Sequence, residues 1–469
     1  LIRIFRINDP YRLILVFIFL VILKLPFLIH GEIYSILDLK HHLIGEKLGS
    51  GVLLYKDLWD NIAPFSAWFY MFIDYLFGKS AIAYQIIAIF LFFFQAGLFN
   101  VILIRKKAYN ENSYVPAFFY MLFGFMFFDV ISLSPQLLGL TFILFSLDSL
   151  FIHLELRRKN DINLINLGMY IGIAALFYLP YIIYLISVTL GLLLYTNTIR
   201  RRYFLMYYGA IFVFLLIWIY YFLKGDSHYL MQNLVYPLLR FDYSNYLTFN
   251  SLLYIAVVPG IFLLISLFKT FQTLGYTNYQ VRIQSLFFLF FIFQIITWFL
   301  WSQKSGASLV IYVPTMSFFV THMFINVRKR LWREIYFYLL VVAVLGVYLN
   351  PIYRVKYLDD KIALDKTLVR NINGWDVENK KILVLGDDLS YYKNNSLATP
   401  FLNWDNARRL FLNINDYENI LTVFSNLKTD YPEYIIDQNG VLPDLMNYIP
   451  ELKMNYSLVK DNVYQKTNN

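Results

Sequence analysis

The sequence has no cysteine, which excludes disulfides, thiolate metal sites and lipidated cysteines. Charge is scarce too: Asp, Glu, Lys and Arg make up 15% of the 469 residues, where a soluble domain carries about a quarter. A nucleotide-phosphate loop, a zinc-protease helix and a Ser-His-Asp signature are all missing. "LVLGD" at 383–387 lacks the glycine spacing of a dinucleotide fingerprint. There is no internal repeat and no low-complexity segment.

What the chain has instead is apolar. Hydrophobic residues make up 59%, and aromatics 20%, including 45 Phe and 40 Tyr. Apolar runs near twenty residues recur along most of the length, each able to cross a hydrocarbon core of about 30 Å as a helix. The expected fold is a polytopic α-helical membrane protein. A net charge of +9 raises the question of nucleic acid. However, the Lys and Arg residues sit in short clusters between apolar runs, the pattern of orientation signals, so nucleic acid is not expected as a partner.

Those clusters are Arg3/Arg6/Arg12, "RKK" at 105–107, "RRK" at 157–159, "RRR" at 200–202, Lys269 with Arg282, and "RKRLWR" at 328–333. Placing all of them on the cytoplasmic side fixes the crossings at 11–30, 80–104, 114–130, 134–155, two within 163–197, 203–223, 250–270, 283–301, 308–326 and 335–350, about eleven in all. "YLPY" around Pro180 supplies the turn inside 163–197. The first segment lacks a small-residue cleavage site and is read as a retained helix. The N-terminus is then cytoplasmic, and 31–79, 224–249 and everything after Asn350 face the other side.

Within 31–79, "DLKHHLIGEKLG" spaces Leu39, Leu43, Ile44 and Leu48 as one face of a helix. "PFSAWFYMFIDYLFG" at 64–78 is too short to span and reads as a helix at the interface. The expected domains are a membrane domain over 1–350, containing this loop, and a small extracytoplasmic α/β domain over 351–469. In the latter, "KKILVLGDD" (380–388) and "YPEYIIDQNG" (431–440) read as strands and "YSLVKDNVYQK" (456–466) as a hairpin.

Few residues are placed for chemistry. Asp38 ends the first crossing, where a carboxylate acts as a general base or holds a divalent cation; the plainer reading is a helix N-cap. His41 and His42 point about 100° apart on a helix and do not chelate one metal together. Lys56, Asp57 and Asp60 lie in a loop suited to an anionic head group or a sugar. Asp129 and Gln136 flank a turn between crossings, and Asp148 lies nearer the cytoplasm. Arg240 and Lys304 are basic residues beside crossing ends, where either can meet a phosphate.

The stretch "GEKLGSGVLLYKDLWDNIAPFSAWFYMFIDYLFGKSAIAYQ", with the preceding Asp38, resembles the opening of the GT-C fold glycosyltransferases. It is most similar to the protein-mannosyltransferase and aminoarabinose-transferase branch. The matching features are Asp38, Gly51, Tyr55 with Asp57, Pro64-Phe65 and "LFG" at 76–78. "SGASLVIYVPTMSFFVTHMF", with Tyr312, and the tail with "PEYIID" look like later parts of the same family. The chain departs from the family at Leu39, Ile62, Ala63 and Gln136, where members carry Glu, Lys, Pro and an acid.

The resemblance implies transfer of a sugar from a polyprenyl-phosphate donor to a lipid, glycan or protein acceptor on the extracytoplasmic face of a bacterial inner membrane. Asp38 is then catalytic, with Lys56, Asp57, Asp60, Asp129, Gln136, Arg240, Lys304 and Tyr312 as substrate-binding candidates. A divalent cation is the one candidate cofactor, and membrane lipids are partners. The departures leave a second expectation, a catalytically degenerate scaffold in envelope glycan assembly. A polysaccharide polymerase or lipid-linked glycan transporter ranks third, for want of charge deep in the spans.

Overall fold

A computed structural model of the protein describes residues 2–29, 33–155, 161–196, 198–239, 245–273, 275–300, 304–327, 329–362, 364–372, 375–398, 400–414 and 416–467. The "RRK" cluster at 157–159 and Arg240 lie outside the described residues. The longer helices, in chain order, are α1 (Arg12–Ile29), α2 (Ile36–Gly49), α3 (Pro64–Phe77), α4 (Ala81–Arg105), α5 (Val115–Gly124), α6 (Pro135–Leu154), α7 (Asp161–Phe177), α8 (Ile183–Tyr195), α9 (Arg200–Leu223), α10 (Phe249–Gln272), α11 (Asn278–Leu300), α12 (Val313–Asn326), α13 (Arg330–Tyr348), α14 (Trp404–Leu412), α15 (Tyr417–Thr429) and α16 (Leu442–Tyr448). The strands are β1 (Lys381–Leu385), β2 (Ser396–Leu397), β3 (Tyr434–Asp437), β4 (Tyr456–Lys460) and β5 (Val463–Lys466).

Among the described residues, eight helical runs are long and apolar enough to cross a membrane: α1, α4, α6, α9, α10, α11, the run Gly306–Asn326 that ends in α12, and α13. Three shorter apolar helices fall where the sequence placed further crossings: α5 in 114–130, and α7 and Leu179–Tyr195 in 163–197. The protein is a multi-pass membrane protein of helices with a small C-terminal sheet. The crossing expected over 114–130 departs in one respect: its helix stops at Gly124. Residues 125–134 continue as buried turns, which non-helical backbone at membrane depth tolerates when surrounded by protein.

The chain divides into two compact units. The first comprises residues 1–33, 81–217 and 245–364. At its centre, every residue of α5 is buried, and 94% of the Gly306–Asn326 window is inside the protein, against 22% for α1 and for α13. The outer helices turn Ile and Phe side chains outward, a surface suited to lipid. Buried polar groups find partners between helices. Gln95 Nε2 donates to Leu137 O (2.7 Å) and Thr141 Oγ1 (2.9 Å), and Tyr120 OH donates to Gln95 Oε1 (3.1 Å), joining α4, α5 and α6. In hydrocarbon, such groups have no water to fall back on.

Several basic residues near helix ends are paired as well. Arg6 meets Glu111 at 2.6 Å, Arg105 meets Asp148, and Arg202 Nε donates to Asp161 at 2.8 Å. Asp148 is thus an ion-pair partner at the basic end of α4 and α6.

The second unit gathers residues 34–80, 218–244 and 365–469. Its sheet runs in the order β2-β1-β3-β5-β4. β1 pairs parallel with β2 and β3, while β5 pairs antiparallel with β3 and β4. The near-continuous apolar run of β1 fits a parallel strand covered on both faces. Its core joins Leu383, Leu385 and Ile435 to Phe411, Val423 and Leu445 of α14–α16, and it includes Trp59 from the first loop. The backbone continues this union: Trp59 N–H donates to Pro400 O (2.9 Å), and Ile36 N–H donates to Thr367 O (3.0 Å). Both helices expected in the first loop are present as α2 and α3. They cross at Gly45, where any Cβ would come within 2.7 Å of Tyr70 O.

Candidate functional site

The candidate residues fall in both units, and each set is built by its own local structure. In the second unit, Ser35 caps α2: its Oγ accepts the Asp38 N–H at 3.1 Å. Asp38 is therefore not the N-cap but the third residue of the helix, in the Ser-x-x-acid pattern of a capping box. It is half-buried and stands in the first turn, where the helix dipole favours a carboxylate.

Two residues on, Lys40 Nζ lies 2.6 Å from Asp60 Oδ2. Asp60 Oδ1 also accepts the Ile62 N–H at 2.8 Å. His41 stacks on Tyr70, with centroids 4.6 Å apart. Burial first, then the Lys40 and His42 charges, hold His41 well below the usual histidine range. His42 is lowered to about 4, by burial and then by Lys79. Both rings are neutral at physiological pH.

The loop after α2 holds a strained residue. Tyr55 is fully buried at φ 73°, a region that costs a bulky residue of order 1–3 kcal/mol. Three hydrogen bonds keep it there: Tyr55 N–H to Leu58 O (2.9 Å), Tyr55 OH to Ile62 O (2.6 Å), and Asn233 Nδ2 to Tyr55 O (2.8 Å). The result presents Lys56 outward, with Nζ 3.1 Å from Asp226 Oδ1. That hydrogen bond and the charge of Asp226 raise the Lys56 pKa. Asp57 closes the loop by accepting Leu53 N–H at 3.1 Å. The structure therefore gathers Lys56, Asp57 and Asp60 around one loop, with Asp60 and Asp57 holding its shape.

In the first unit, Asp129 is buried in the turns after α5. Gly306 packs directly against it, and a Cβ there would overlap the Asp129 carboxylate and the Phe127 ring. Lys304, two residues earlier, places Nζ over the Trp298 ring, 4.6 Å from its centroid, an attractive cation–π geometry. Its carbonyl accepts Leu247 N–H at 3.0 Å, fixing the turn into α10.

Gln136 opens α6 beside a wall of tyrosines. Its carbonyl accepts Tyr181 OH at 2.8 Å, and its side chain hydrogen-bonds Tyr178. Tyr312 OH donates to Gln294 O (3.2 Å), while Gln294 Nε2 donates to Tyr184 OH (3.0 Å). Trp298 and Tyr312 border an apolar groove of about 470 Å³, walled by Leu253, Val257 and Leu264 of α10 and Phe291 of α11. Asp129, Gln136, Lys304 and Tyr312 thus all belong to the first unit.

Sequence reasoning missed Lys24. This lysine sits inside α1, 4% exposed, and donates to Phe128 O at 3.3 Å, next to Asp129. The signal was a lone cation in an otherwise apolar run, and an ionisable residue inside a span is a functional candidate by default. The tyrosines at 178, 181 and 184 were likewise passed over, although their spacing of three puts them on neighbouring turns.

No family model matches the chain, and neither does any curated protein. Solved structures do. ArnT from Cupriavidus metallidurans bound to undecaprenyl phosphate superposes with a TM-score of 0.56 at 12% identity, covering 97% of this chain and 98% of that one. The same protein in the apo state gives 0.52 at 11% identity, with 91% and 92% covered. The oligosaccharyltransferase AglB from Archaeoglobus fulgidus, in complex with an inhibitory peptide and a dolichol-phosphate, gives 0.50 at 9% identity, covering 98% of this chain and 74% of that one. The fold is GT-C.

Ile62 and Ala63 are both buried, so apolar side chains fill the two positions where the sequence resemblance would place Lys and Pro. Among the described residues, no three His, Asp or Glu side chains gather as a metal would need.

Proposed function

We propose that the protein is an integral-membrane glycosyltransferase that moves a sugar from a polyprenyl-phosphate donor to a lipid, glycan or protein acceptor on the extracytoplasmic face of a bacterial inner membrane. The carrying observation is the apolar groove of the first unit, with an ammonium, Lys304, over the tryptophan at its border. A prenyl chain suits such a groove, and its phosphate suits Lys304. ArnT and AglB, which share the fold, were solved with undecaprenyl phosphate and dolichol-phosphate.

In the proposed reaction, an acceptor hydroxyl attacks the anomeric carbon of the donor sugar. Asp38 takes the hydroxyl proton as general base. The bond from that carbon to the phosphate oxygen breaks, and the oxygen keeps the electron pair. The phosphate gains one negative charge as it leaves, which Lys304 offsets. Asp129 and Gln136 contribute hydrogen bonds to the sugar. The N-terminus is cytoplasmic and the second unit extracytoplasmic.

The test is release of polyprenyl phosphate by the purified full-length chain, given membrane lipids that contain polyprenyl-phosphate sugars and followed by mass spectrometry. Asp38→Asn lowers release by about 10²–10⁴-fold. Undiminished release by a normally expressed Asp38→Asn protein removes Asp38 from catalysis. Absence of release in both proteins leaves the scaffold reading.

A further inference from the structure

The first unit also has a polar cavity, at the far end of α10 from Lys304. It measures about 520 Å³ and lies where the end of α10, the end of α12 and the start of α13 meet. Lys269 and Gln272 come from α10, and Lys329 caps α13. Neither ammonium has a carboxylate partner among the described residues. Trp332 and Tyr336, with ring centroids 5.7 Å apart, form an aromatic wall.

α10 places Lys269 about 30 Å from its first residues, so this cavity is separate from the groove at Lys304. The neighbouring turns of α10 and α13 carry exposed apolar side chains, Phe268 and Phe271 on the first and Leu331 and Ile335 on the second. A ligand there meets two positive charges, two amides (Gln272 and Asn326) and two amphipathic rings in the cavity. Aromatic rings of this kind sit at the head-group level of a membrane.

The geometry points to a binding site for the phosphate-bearing head of an anionic membrane lipid, in the leaflet at the basic end of the helices. Lys269 and Lys329 grip the phosphate from two helices, Gln272 hydrogen-bonds the head group, and the acyl chains run along Phe271 and Ile335. Nothing in the proposed transfer reaction requires this site.

The test measures retention of labelled phosphatidylglycerol and phosphatidylcholine by the purified full-length chain in mixed micelles. The wild type retains phosphatidylglycerol in clear excess. Lys269→Gln and Lys329→Gln each lower that preference about fivefold, and the double variant abolishes it. Arg200→Gln/Arg201→Gln, at a different basic cluster, leaves it unchanged. If the double variant does not fold, the single variants carry the test, together with Trp332→Ala, which lowers retention. A preference that survives both lysine substitutions overturns the site. So does an equal loss in the Arg200/Arg201 variant, which reduces the effect to general basic attraction. Complete displacement of the lipid by millimolar inorganic phosphate assigns the site to free phosphate and overturns the lipid reading.

Discussion

Lys40 Nζ and Asp60 Oδ2 are 2.6 Å apart, and the two side chains are 6% and 1% exposed. Removing one member of such a pair strands the other charge away from water, at a cost of about 3–5 kcal/mol. Lys40→Met therefore lowers the denaturant midpoint of the protein sharply, and Lys40→Met/Asp60→Leu restores most of the loss. Tryptophan fluorescence during unfolding checks both.

The Ser35 side chain caps α2, and it fixes the turn that carries Asp38. Ser35→Ala costs about 1 kcal/mol and lowers the proposed transfer with the fold intact, whereas Ser35→Thr keeps both. Thermal unfolding and polyprenyl phosphate release, measured on the same preparations, separate the two effects.

The lowered His42 pKa gives stability a direction with pH. His42 is neutral in the folded protein down to about pH 4, while an unfolded histidine titrates near 6.5. Between those values the unfolded chain binds more protons. The contribution is complete above about pH 6.5 and is lost as pH falls towards 4, to a total of about 3 kcal/mol. His41 acts in the same direction. Denaturant midpoints taken from pH 7 down to pH 4 fall more steeply for the wild type than for His42→Gln.

Gly306→Ala drives a methyl group into the Asp129 carboxylate and the Phe127 ring. Overpacking of this kind costs about 1–3 kcal/mol, and it displaces Lys304 two residues away. Thermal stability falls, and the KM for the proposed polyprenyl-phosphate donor rises relative to wild type.

Much of this architecture was legible in advance because apolar length and turn residues are local signals. β1 is bounded by Lys380 and Gly386, and Asp461 and Asn462 form the turn of the β4–β5 hairpin, so both stood out. β2 did not, since its two residues, Ser396 and Leu397, carry no period and exist only by pairing with Lys381 and Ile382. The roles of Asp38 and Lys40 were hidden for a related reason. Ser35 takes the cap that an aspartate also suits, and the partner of Lys40 lies twenty positions away across a loop. The strained φ of Tyr55 leaves no trace in composition, because its cause is three hydrogen bonds, one of them from Asn233.

Trp59 anchors the first loop in the core around Phe401 and Phe411. Trp59→Ala removes about 3–5 kcal/mol. Backbone amides of β1, at Ile382–Leu385, then exchange with deuterium faster in the full-length protein.

The second unit is assembled from three stretches of chain, and its hydrogen bond between Asn61 and Asn403 joins residues 342 positions apart. At translation rates of about 5–20 residues per second, the first loop emerges tens of seconds before the segment that completes its core. During that interval Trp59 and the charges of Lys40 and Asp60 lack the neighbours that shelter them. A ribosome that stops short of the last hundred residues thus leaves a membrane-inserted chain whose first loop has no core to join, a natural mark for quality-control proteases.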